Sequence, residues 1–213
     1  MKKKNHNSVL LLVQFSILLA LEALVCFTPL GSLPLSPVLV ATLSHLPVIV
    51  TAILLGTAPG ALMGFFFGLF SFLIWTLAPP NPLIAFAFTP LYSAGAVQGS
   101  VWSLVICFVP RILLGVAAGV FFRVFQKLFA RFDRIQVLSY TLTGLLSSLI
   151  HTVLVLGGIY VFFGQPYAEA NDVAYSGLLL ALGGLILTNG LLEAGIAAAV
   201  SYGVCRPLKR FVK

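Results

Sequence analysis

Charged residues are scarce in this sequence. Asp, Glu, Lys and Arg make up 8% of its 213 residues, where a soluble chain carries about 25%. So sparse a set cannot cover the surface of a water-soluble domain, and that class is excluded. Cysteine is scarce as well. Cys26, Cys107 and Cys205 lie in or beside apolar runs with no C-x-x-C spacing, which excludes a disulfide framework and a thiolate metal site. They read as small buried hydrophobes. Also missing are H-E-x-x-H, G-x-S-x-G and G-x-x-x-x-G-K-[ST], the signatures of zinc hydrolysis, a strained nucleophile and a phosphate cradle. No catalytic residue, metal ligand or cofactor is assigned, and any ATP-driven step would need another chain.

Long apolar runs are what the chain has instead. Hydrophobic residues make up 60% of it, and the mean hydropathy is +1.11. A helix rises about 1.5 Å per residue, so about 20 apolar residues cross a bilayer core. Six stretches meet that length: 8–28, 38–57, 60–78, 101–123, 137–163 and 176–204. The expected fold class is all-α, a polytopic membrane protein whose six transmembrane helices form one domain over residues 1–213. The first stretch carries Glu22 and no small-x-small cleavage site, so it reads as a permanent span rather than a leader. "TAPG" at 57–60 reads as the tight turn between spans two and three. "LIAFAFTPLYSAG" at 83–95 is short and bordered by prolines, and reads as a partly buried outer loop.

The twelve basic residues test that topology. Lys2, Lys3, Lys4, Arg206, Lys209, Arg210 and Lys213 lie at the chain ends, and Arg123, Lys127, Arg131 and Arg134 cluster between spans four and five. Six spans put all eleven on one side, and the positive-inside rule makes that side cytoplasmic, with both termini. The net charge of +7 thus sits beside lipid headgroups. Nucleic acid is not an expected partner, because no soluble domain is left to bind it.

Small residues mark helix seams. Gly56, Gly60, Gly64 and Gly68 recur every fourth position, which lets a neighbouring backbone approach closely. Internal packing of span three is the first reading, and a docking seam for a partner is the other. Ser16 and Ala20, and Gly115 and Gly119, form shorter pairs of the same kind.

Arg111 is the one basic residue that topology does not explain. It sits in mid-span, where a charge costs about 2.5–3.5 kcal/mol on insertion scales. Too deep to snorkel, it needs a partner inside the bundle. Asn189 and Glu193 share one face of span six, and His151 centres a polar stripe with Ser147, Ser148 and Thr152. Glu22 in span one and His45, just before Pro47, lie at comparable depth. Two readings stay open: a packing salt bridge from Arg111 to Glu193 or Glu22, or a polar pocket for an anionic ligand. The planar guanidinium fork suits a carboxylate.

Four stretches carry a family resemblance: "TLSHLPVIVTAILLGTAPGALMGFFFGLFSF", "CFVPRILLGVAAGVFF", "HTVLVLGGIYVFFG" and "LTNGLLEAGIAAAV". In order, spacing and span count the chain resembles the substrate-binding S components of energy-coupling factor (ECF) vitamin transporters, above all their pantothenate-type members. The resemblance implies a non-enzymatic, multi-pass protein of the bacterial plasma membrane that captures a vitamin near its outer side. It implies a transmembrane coupling (T) subunit and two cytoplasmic ATPase subunits as partners. Arg111, His151, Asn189, Glu193 and His45 would be substrate-binding, Ser16 and Ala20 would form the coupling-subunit docking face, and loop 29–44 would be a lid. His151 stands where pantothenate-type members would carry asparagine. Folate, biotin or riboflavin, and a membrane enzyme acting on a lipid or isoprenoid, are the alternatives.

Overall fold

The computed structural model describes residues 2–34, 40–94, 97–133 and 136–211. Arg134 and Lys213 of the basic set, and 35–39 of the expected lid, fall outside these. The chain is all-α apart from two small hairpins. Helix α1 (Lys2–Phe27) leads into β1 (Ser32–Pro34) and β2 (Val40–Thr42), which pair antiparallel with Leu33 opposite Ala41. Helices α2 (Leu46–Leu55) and α3 (Thr57–Leu77) follow. A 3-10 turn (Pro82–Ala87) and the hairpin β3 (Ser93–Ala94) and β4 (Val97–Gln98) precede α4 (Val101–Leu128) and α5 (Val137–Ala170). Last come α6 (Tyr175–Leu185), a π turn (Ile186–Gly190) and α7 (Leu191–Leu208), one continuous helical rod.

Among the described residues, five helices are long and apolar enough to cross a membrane: Ser8–Phe27, Thr57–Leu77, Val101–Leu128, Val137–Ala170 and Tyr175–Leu208. The expected span 38–57 is revised. Its helix runs only from Leu46 to Leu55, about 15 Å at helical rise. Pro47 fits the first helical turn, where its missing N–H costs nothing, and residues 40–42 are tied into the hairpin instead. The turn between α2 and α3 is also one step earlier than expected. Gly56 takes φ 104° and ends α2, a conformation open to glycine without a Cβ penalty. Thr57–Gly60 is then already the first turn of α3.

The glycine seam is internal. A methyl group at Gly64 would collide with the Arg111 carbonyl, one at Gly60 with Ala52, and one at Gly68 with Phe108. On the facing helix, Gly115 lies against the Gly60 backbone and Gly119 against Thr57. Helices α3 and α4 thus meet backbone to backbone, the closest approach small residues permit. Helix α4 is well started: Ser100 Oγ accepts from Trp102 N (3.2 Å), and Ser103 Oγ accepts from Ser100 N (3.0 Å). Ser103 also donates to the Phe86 carbonyl at 2.6 Å, pinning the 82–87 turn to α4. Ala85, Phe86 and Ala87 are fully buried, so this part of the apolar loop foreseen at 83–95 packs inward, while Leu83 and Leu91 stay exposed. Helix α5 kinks at Phe163 (φ −135°, ψ 20°), three residues before Pro166, the usual cause of such a break.

Candidate ligand-binding cavity

Two apolar clusters frame the interior. One gathers Val48, Ile49, Met63, Leu114 and Ala197 from α2, α3, α4 and α7. The other gathers Phe86, Ile106, Ile159 and Leu178 around the 82–87 turn, α4, α5 and α6. A cavity of about 480 Å³ is lined by residues of α1, α3, α4, α5 and the π turn, and by Thr28, Thr42, Ser44 and Pro80 from the loops at one end. That volume falls among small-molecule sites, which span about 300–1,000 Å³.

Arg111, His151, Asn189 and Glu193 all line this cavity. The structure therefore brings together four of the five residues chosen from the sequence. Arg111 is 5% exposed. Its Nη1 donates to the Ile106 carbonyl at 2.6 Å, and its guanidinium lies 5.5 Å from the ring centres of both Phe67 and Phe88. Two aromatic faces thus hold the cation by its charge and fix its plane. Neither candidate salt bridge forms. Glu193 Oε1 accepts from the Thr42 backbone N–H at 2.8 Å, and Glu22 Oε1 accepts from Cys26 Sγ at 3.2 Å.

His45 is placed behind the cavity rather than on it. Only 1% exposed, it shares a 3.1 Å hydrogen bond with Ser148 Oγ and stacks on the His151 ring at 6.0 Å and 18°. Phe67 touches the other side of His151, with ring centres 6.0 Å apart. Asn189 belongs to the π turn, a local widening of the helix that recurs at functional sites. Ser16 and Ala20 are exposed on the outer side of α1, while Phe15, Leu18 and Glu22 turn inward.

The decisive feature is a set of unmet hydrogen-bonding groups. Among the described residues, Arg111 Nε, His151 Nε2 and Asn189 Oδ1 are buried without a hydrogen-bond partner. Such groups are costly unless something satisfies them, and all three belong to residues lining one cavity. Donor and acceptor capacity around a single cation suits a small monoanion bearing hydroxyl or amide groups. Phe67, Phe88, Trp75 and Cys26 also line the cavity and were not singled out from the sequence. Trp75 and Phe88 stack at 4.5 Å. Their only sequence signal was aromatic residues in segments next to prolines.

The family model described as "ECF transporter, substrate-specific component" matches residues 11–205. The chain is also 30% identical, over 99% of its length and 97% of the relative's, to the pantothenic acid transporter PanT of Lactococcus lactis subsp. cremoris (strain MG1363).

Proposed function

Because the chain belongs to the ECF transporter substrate-specific component family, a family of multi-pass membrane transport components rather than enzymes, we propose that it captures a carboxylate-bearing vitamin, pantothenate, for uptake. The observation that carries this reading is the trio Arg111, His151 and Asn189, which line one cavity and each hold a buried polar atom without a partner among the described residues. The guanidinium takes the carboxylate through two parallel charge-assisted hydrogen bonds, and His151 and Asn189 take hydroxyl and amide groups. Similarity to a pantothenic acid transporter supports the choice among vitamins; folate, biotin and riboflavin are the competitors. Glu193 acts through the hairpin that it holds.

In this reading residues 1–213 form one six-span unit with both termini in the cytoplasm, α2 being the short second span. Ser16 and Ala20 form the face that meets a transmembrane coupling subunit, and two ATPase subunits supply the energy. Purified protein tests the reading. Pantothenate raises its melting temperature and binds stoichiometrically, while folate, biotin and riboflavin do not. Arg111→Ala costs about 2–5 kcal/mol of binding, the range for truncating one side of a buried charge pair. Wild-type protein that responds to another vitamin, or a variant that binds normally, refutes the assignment.

A further inference from the structure

We infer that Pro110 is a positioning residue: it frees the carbonyl that anchors the Arg111 guanidinium. In an α-helix the N–H of residue 110 would bond the carbonyl of residue 106. Proline has no N–H, so that carbonyl is left without its helical donor. The group that takes it is Arg111 Nη1, at 2.6 Å. Pro110 is buried inside α4, one residue before the arginine it serves. The remaining restraints come from α3 and the 82–87 turn. Phe67 and Phe88 flank the guanidinium at 5.5 Å each, and Gly64 lets the α3 backbone press on the Arg111 carbonyl. With Nη1 held by the Ile106 carbonyl, Nε is buried without a partner among the described residues. The proline thus decides which edge of the fork meets the ligand. A residue with an N–H at 110 would compete for the Ile106 carbonyl and release the guanidinium.

The inference rests on the carboxylate reading given above, and the test keeps the two apart. Binding of pantothenate, and of its neutral alcohol analogue with a hydroxymethyl group in place of the carboxylate, is measured on wild type, Pro110→Ala and the bulkier Pro110→Val. Loss of one charge-assisted bond's worth of orientation weakens pantothenate binding about tenfold, with the alcohol little changed. A fold defect would weaken both alike, and that result, or unchanged pantothenate binding, overturns the inference. A second readout needs no ligand. In protein labelled with ¹⁵N-arginine, an anchored and flanked guanidinium gives resolved Nη signals, assigned by their loss in Arg111→Lys. The inference expects them in wild type and averaged signals in both proline variants; identical signals in all three overturn it. If wild type binds neither compound, the pantothenate reading falls and the arginine spectra alone decide the role of Pro110.

Discussion

At the scale of single residues, the site turns on how one buried cation is kept without a counter-charge. Among the described residues, Arg111 meets a carbonyl and two aromatic rings but no carboxylate. Keeping the charge while losing the fork is therefore informative. Arg111→Lys is expected to weaken pantothenate binding about tenfold or more, because an ammonium cannot make the paired planar contact. Isothermal titration of both proteins checks this, and equal affinities would show that charge alone is enough. The arginine, histidine, asparagine and glutamate of the cavity were legible in the sequence, since ionisable and amide groups stand out in apolar helices. His45 stood out equally; it lies outside the cavity lining and bonds Ser148 Oγ. The aromatic wall was not legible, because Phe67 and Phe88 are chemically ordinary in a chain with 18 phenylalanines.

At the scale of elements, the most consequential contact is Glu193 Oε1 to the Thr42 backbone N–H. It ties β2 to α7 and so holds the hairpin end against the cavity, which Thr42 and Glu193 both line. Glu193→Ala removes the acceptor and is expected to speed ligand dissociation about tenfold, the scale of one hydrogen bond to a charged group. Glu193→Gln keeps an acceptor and stays closer to wild type. Stopped-flow displacement of bound vitamin separates them; equal rates in all three would mean that the hairpin does not control release. Apolar run length revealed the long helices, since a bilayer core sets a minimum length. The same measure failed at 38–57, where apolar residues serve a hairpin and a short helix, and periodicity carries no mark of that division.

At the scale of the whole molecule, the two faces of α1 differ in exposure. Phe15, Leu18 and Glu22 face the interior, while Ser16 and Ala20 lie on the exposed side. Ala20→Trp is therefore expected to leave vitamin affinity unchanged and to abolish uptake in membranes that contain the coupling and ATPase subunits. Radiolabelled uptake measured beside equilibrium binding checks it, and normal uptake would move the docking face elsewhere. One further consequence comes from the π turn. Asn189 lies within it, and Glu193 follows one helical turn later on the same rod. Both line the cavity, and Glu193 also holds the Thr42 backbone of the hairpin. A small rotation of the rod at this widened turn would loosen both together. On the proposed reading grip and roof share one lever, and a partner that bends it is expected to empty the cavity in a single stroke.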